Sequence, residues 1–149
     1  AAWPMTNVRN LSLPQWRRLA DRPENRCVVP LAEFCEFTTD KHDLCDRKPP
    51  LKGEMWFSVI DQPVFAVAGF WQQTGEGNGF TMVTCNANSL VVPIHPKAMV
   101  TILDPDDVDI WLRGSYDEIR SLQRPFEAEK MTVRGPVFPT RNPPTSLPS

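Results

Sequence analysis

The sequence predicts one α+β domain built on a mostly antiparallel, curved or barrel-like sheet with a few short helices. Short β-rich runs separated by turn residues recur along the chain, and the helical signals between them are brief. The 149 residues also hold 16 prolines against 7 glycines. Proline removes a backbone donor and is confined to strand edges, turns and first helical turns, so long uninterrupted helices are not expected. Hydrophobic residues at 41% and charged residues at 23% describe a globular chain large enough to bury one core. No internal repeat suggests a solenoid or propeller.

Taken in order, residues 13–20 place Pro14 at a helix start with Trp16, Leu19 and Ala20 apolar, which predicts a short amphipathic helix. Cys27-Val28-Val29-Pro30 and then Ala32-Glu33-Phe34-Cys35-Glu36-Phe37 carry β-branched and aromatic residues around a breaking proline, so two short strands meet there. Residues 38–52 are polar, hold several charges and a Pro49-Pro50 pair, and are expected to form an exposed loop. Residues 55–60 and 64–71 are apolar arms about Asp61-Gln62-Pro63, a hairpin signal. A second turn over 74–79 leads into a largely buried strand over 80–85. Residues 98–103 add one more strand. Asp104 then stands to cap a helix over 105–112, with Asp106 and Asp107 at its positive end and Gly114 as its stop. Ser115, with Glu118 three residues on, is a capping box that opens a further helix to about Gln123, ahead of Pro125. The proline-rich end, 138–149, is expected to lie extended across the surface.

A formal net charge of -2 argues against holding duplex DNA on a broad basic surface, while leaving room for a narrow basic groove. No apolar run is long enough to span a bilayer, and residues 1–10 lack the regions of a secretory signal. A cytoplasmic protein with no membrane partner is therefore expected. Cys27, Cys35, Cys45 and Cys85 form no CxxC pair and read as buried free thiols. No metal is expected, even from His42 with Cys45, because the paired-ligand spacing of structural zinc is missing. Neither a cofactor nor an obligate protein partner is indicated.

Five segments follow one another in a fixed order: Asn7-Val8-Arg9; Arg26-Cys27-Val28-Val29-Pro30 leading to Phe34-Cys35-Glu36-Phe37; Ala68-Gly69-Phe70-Trp71; Val83-Thr84; and Ile94-His95-Pro96-Lys97. Each is weak alone. Together, over roughly residues 3–103, the series resembles the SRAP family, named for SOS response-associated peptidase. The resemblance implies a barrel-like mixed fold with a groove for single-stranded DNA carrying abasic sites. In that family the mature N-terminal cysteine condenses with the aldehyde of an opened abasic sugar to form a thiazolidine crosslink. The chemistry stands independently. An α-amino group titrating at about 7.7–8.0 is partly neutral at pH 7, where a lysine at about 10.4 is not, so it can attack the aldehyde. The thiol on the same residue then closes the ring on the imine carbon with the advantage of proximity.

By this resemblance Glu36 matches the acid/base carboxylate that donates a proton as the carbinolamine dehydrates; the plain alternative is an exposed strand glutamate. Phe34 and Phe37 beside it suggest partial desolvation and a raised pKa. His95 matches the histidine that helps open the sugar or exchanges protons during reversal, against the alternative of a strand-end histidine before Pro96. Asn7 matches the asparagine that orients the reacting group, or is a turn residue. Arg9 and Lys97 stand where the family places phosphate-contacting residues, Lys97 replacing the usual arginine with a weaker contact. Trp3, Trp16, Trp56, Trp71 and Trp111 offer stacking surfaces to unpaired bases, though most read as core and Trp71 above all.

The family begins Met-Cys-Gly-Arg and carries a stretch of sheet before its Asn-x-Arg, whereas Ala1 lies close ahead of Asn7. Glu33, Cys35, Pro96 and Ala98 also depart from the pattern, as does the Asn10-Leu11 pair. None of the four cysteines can form the ring, because their nitrogens lie in peptide bonds, so residues 1–149 alone are not expected to crosslink. The chain reads as an N-terminally incomplete SRAP-like domain whose nucleophile lies upstream, or as a shortened, non-catalytic module that binds single-stranded DNA. A peptidase limited to self-processing is the third reading, since no Ser-His-Asp or Cys-His signature supports a general one.

Overall fold

The computed structural model describes residues 7–44 and 47–139. Pro14 opens helix α1 (Pro14–Ala20), which buries Leu19 and Ala20 as its apolar spacing predicts. Strand β1 (Arg26–Leu31) follows a single 3-10 turn. Strands β2 (Phe34–Leu44) and β3 (Arg47–Val59) then pair antiparallel from Phe34 opposite Phe57 to Leu44 opposite Arg47. Residues 38–44 and 47–52, expected as part of a loop over 38–52, are therefore the outer part of a long hairpin. Ladder hydrogen bonds do not depend on side-chain polarity, and an arm in solvent has no apolar alternation to display. Pro49 and Pro50 fall where the register shifts between His42 and Leu44, so their missing N–H groups disturb no regular pairing.

Strand β4 (Phe65–Thr74) does not pair with β3. Its edges are taken by β1 on one side and by β5 (Gly77–Met82) on the other, so the expected 55–60/64–71 hairpin is instead a passage between two sheets. Asp61, with φ of 63°, and the bridge between Val59 and Gln62 make that turn. The reason is burial on both faces of β4, which suits a central strand with a neighbour at each edge. The second turn is as expected: Thr74 pairs with Gly77 around Gly75-Glu76, and Gly77 takes φ of 116°, which glycine permits without a Cβ clash.

The run 80–85 is split rather than continuous. Strand β6 (Thr84–Cys85) pairs with β7 (Met99–Val100), and Val83 between β5 and β6 bridges Val8 instead. Likewise 98–103 breaks at Thr101, after which β8 (Ile102–Leu103) joins β4. Strand β9 (Met131–Val137), unforeseen because only Met131 is buried, pairs with β3. Among the described residues the sheets hold four, three and two strands and do not close.

Between β8 and β9 a 3-10 turn (Pro105–Asp107) leads into α2 (Val108–Arg113), ended at Gly114. Asp104 precedes that turn but its side chain makes no capping bond, because the first turn is 3-10 rather than α. The capping box before α3 (Tyr116–Leu122) is complete: Ser115 Oγ accepts from the Glu118 N–H at 3.2 Å and Glu118 Oε1 from the Ser115 N–H at 2.9 Å. No helix among the described residues is long and apolar enough to cross a membrane.

Alternation along β4 divides the interior in two. Phe65 and Val67 pack with Phe34, Phe57, Val59 and Met131, between the β4 sheet and the β2-β3-β9 sheet. Ala68 and Phe70 pack with Leu19, Trp111, Ile119 and Leu122, beneath the helices. Arg26 sits buried under those helices and donates to the carbonyls of Ala20, Trp111 and Gly114, satisfying helix-end acceptors. Trp111 is core and donates to the Cys27 carbonyl. Trp71, expected in the core, is 37% exposed, as is its cross-strand partner Phe80 to 47%. Both lie toward the turn end of the β4-β5 hairpin, away from the positions of β4 that the first core covers. Trp16 and Trp56 are half-buried, and Trp3, Cys45 and residues 140–149 lie outside the described residues.

Candidate functional site

The site is assembled where the sheets meet. Val8 is threaded beside the β5-β6 junction: its N–H donates to the Met82 carbonyl at 2.9 Å and its carbonyl accepts from the Thr84 N–H at 2.7 Å. Its side chain is fully buried. Neighbours in an extended chain point to opposite faces, so Asn7 and Arg9 are turned outward together.

Glu36 is positioned by β2. Phe34, two residues earlier on the same face, stacks on Phe57 at 5.1 Å within the first core. Glu36 therefore points along the inner face and is half-buried, and burial pushes its carboxyl above the ordinary range, partly offset by the charge of His95. Phe37 takes no part in this, since it faces the other way and is 55% exposed. The desolvation expected from both phenylalanines thus comes from the core side alone.

His95 is held by a loop whose organiser is Asn88, a residue that sequence reasoning missed. Asn88 is buried; its Nδ2 donates to the Phe126 carbonyl at 2.7 Å, and its Oδ1 accepts from the N–H groups of Leu90 and Val91. The turn so started brings the His95 N–H to the Val91 carbonyl at 2.8 Å. The imidazole Nδ1 lies 2.7 Å from the Ala98 carbonyl. A carbonyl can only accept, so Nδ1 carries a proton and Nε2 is left as the nitrogen that gains or loses the other. An Asn two residues before Leu90 signals a turn, but nothing local signals its burial.

Asn7, Glu36 and His95 line one cavity of about 290 Å³, together with Thr84, Ala98, Met99 and Val100. A carboxyl whose affinity for its proton burial raises, an imidazole with a free Nε2 and a neutral amide can move protons and orient a polar group. Among the described residues lining it there is no serine or cysteine, and the Thr84 hydroxyl is spent on the Val8 carbonyl at 3.3 Å. Burial pushes the Cys85 thiol up, away from thiolate chemistry.

The two basic candidates stand apart from this cavity's lining. Arg9 Nη1 donates to the carbonyls of Cys85 at 2.9 Å and Lys97 at 3.1 Å, and Nη2 donates to Asn86 Oδ1. It ties the end of β6 to the His95 loop. The Lys97 side chain is exposed.

Fold and site together define an open, mostly antiparallel α+β domain carrying a carboxyl-imidazole-amide cavity with no nucleophile of its own among the described lining residues. The family model "SOS response associated peptidase (SRAP)" matches residues 3–138, and the chain belongs to that family. Membership associates it with the SOS response and DNA damage. A solved protein from Bacteroides thetaiotaomicron superposes with a TM-score of 0.71 at 27% identity, over 85% of this chain and 56% of its own. Two from Bordetella bronchiseptica, the second phage-related, reach 0.67 and 0.62 at 21% and 17% identity and speak for the fold alone. They cover 85% and 93% of this chain and 63% and 64% of their own. The chain thus spans less than two thirds of the length of each of these relatives. No curated protein is significantly similar to it.

Proposed function

We propose that this domain supplies the acid/base wall of an abasic-site-processing protein acting on single-stranded DNA. The observation that carries the reading is the convergence of Asn7, Glu36 and His95, from three distant parts of the chain, on one cavity. In this reading the nucleophile is the family's N-terminal cysteine, on a segment outside residues 1–149. Its neutral amine adds to the C1′ aldehyde of the opened abasic sugar. Protonated Glu36 donates to the carbinolamine hydroxyl, water leaves to give the iminium, and the thiol adds to the iminium carbon while its proton returns to the Glu36 carboxylate. Aldehyde and cysteine thereby become a thiazolidine and one water. His95 Nε2 takes the C1′ hydroxyl proton and passes it to the departing O4′ as the sugar ring opens, and the Asn7 amide orients the reacting oxygen. Arg9 and Lys97 face the strand's phosphates in this scheme.

The test uses the protein expressed from its native start codon and a single-stranded oligonucleotide with one abasic site. A species that survives denaturation is expected, formed about 10²–10⁴-fold more slowly by Glu36→Gln, the usual contribution of a general acid. No such species with folded wild-type protein overturns the proposal. Salt-sensitive binding without a crosslink would favour a non-catalytic single-stranded DNA-binding module instead.

A further inference from the structure

A second cavity of about 290 Å³ adjoins the first and is lined by Arg9, Asn10, Cys85, Asn86, Arg120 and Gln123. Two guanidinium groups and three side-chain amides face it, with no carboxylate in its lining. Five other cations of the domain, Arg17, Arg113, Arg124, Lys130 and Arg134, each pair with an acid. Among the described residues, no ion pair involves Arg9 or Arg120. Two like charges brought to one concave surface repel unless an anion joins them, and a guanidinium fork suits phosphate oxygens.

The cavity is also pre-arranged. Arg9 is held by its three donated bonds, while Arg120 rides over the Tyr116 ring with its guanidinium carbon 5.9 Å from the centroid. Gln123 Nε2 donates to the carbonyls of Arg9 at 2.6 Å and Thr84 at 2.9 Å, docking the end of α3 onto both. The two cavities are lined by consecutive residues of β6, Thr84 in one and Cys85 in the other. Asn7 and Arg9, two residues apart on an extended segment, divide between them in the same way, a step on the order of 7 Å. A strand with one sugar in the first cavity can therefore lay a neighbouring phosphate in the second.

We propose that this second cavity is a phosphodiester site seating the DNA strand beside the reacting nucleotide, with Arg120 of α3 as a direct phosphate contact. The inference rests on the DNA-processing reading above and adds to it a strand path across α3. It is tested with the protein from its native start and a single-stranded oligonucleotide carrying a tetrahydrofuran abasic analogue, which cannot crosslink, by fluorescence anisotropy across a salt series. Each phosphate contact on a single strand contributes about 0.7 to the slope of log affinity against log salt. Arg120→Gln should lower that slope by about 0.7, and Arg120→Lys, which keeps the charge, should restore most of it, as a folding defect would not. Arg113→Gln, at an exposed residue paired with Asp109, should leave it unchanged. With a true abasic strand, Arg120→Gln should raise the DNA concentration needed for half-maximal crosslinking and spare the saturated rate. An Arg120→Gln slope equal to that of wild type, with wild type binding well, overturns this inference alone. Failure of folded wild type to bind the strand at low salt overturns both it and the function proposed above.

Discussion

Replacing Asn88 tests what holds His95 in place. Alanine removes the donor to the Phe126 carbonyl and the acceptor of two N–H groups. Three hydrogen bonds, two buried and one part-buried, at about 0.5–1.5 kcal/mol each, with polar groups left behind, amount to a loss of about 2–4 kcal/mol. For a domain of this size that is a fall of roughly 4–16 °C in Tm. Aspartate separates the two halves of the network. It keeps the oxygen that accepts from Leu90 and Val91 but turns the Nδ2 donor into a second oxygen against the Phe126 carbonyl. Asn88→Asp should therefore be destabilised at neutral pH and recover as acid protonates the buried carboxyl. Urea denaturation followed by tryptophan fluorescence measures the stabilities. Crosslinking, compared where all variants are fully folded, should fall on the order of 10²-fold in Asn88→Ala, as expected when a catalytic group shifts by an ångström. An Asn88→Ala protein within about 0.5 kcal/mol of wild type, with an unchanged rate, would refute the argument that this side chain sets the loop.

Glu36 makes a prediction in pH. Because burial raises its carboxyl, the folded chain holds that proton more tightly than the unfolded one, so the stability it confers is complete below the ordinary value of 4.5 and is lost as pH rises through the higher folded value. Glu36→Gln does not titrate, so its stability advantage over wild type should grow across that interval; urea midpoints that differ by the same amount at every pH would contradict this. Gly69→Ala should destabilise by about 1–3 kcal/mol, because the added Cβ would stand 2.7 Å from the Thr81 carbonyl oxygen and 3.2 Å from Cys27 Sγ. An unchanged denaturation midpoint would mean that β4 and β5 can part at no cost.

Features legible in the sequence are those closed within a few residues. Pro14 starts α1, Ser115 with Glu118 opens α3, Gly114 stops α2, and Gly75-Glu76 turns β4 into β5; in each the physical cause and its effect are neighbours. The site residues were legible differently. Asn7, Glu36 and His95 came from an ordered series of motifs that marks the SRAP family, while spacing and composition alone left each with an ordinary structural alternative.

The sequence by itself thus determined the α+β class, the local starts and stops, and the candidates for proton transfer. Tertiary structure alone decided the partners. It put β3 with β2 and β9 rather than β4, built strands from the polar residues 38–44 and 47–52, and left Trp71 exposed where an aromatic in a buried-looking strand reads as core. It also put Asn88 under the His95 loop and moved Glu36 to the core side of β2. Strand pairing and burial are set by what lies across a ladder or a layer, tens of residues away along the chain. No local pattern carries that information.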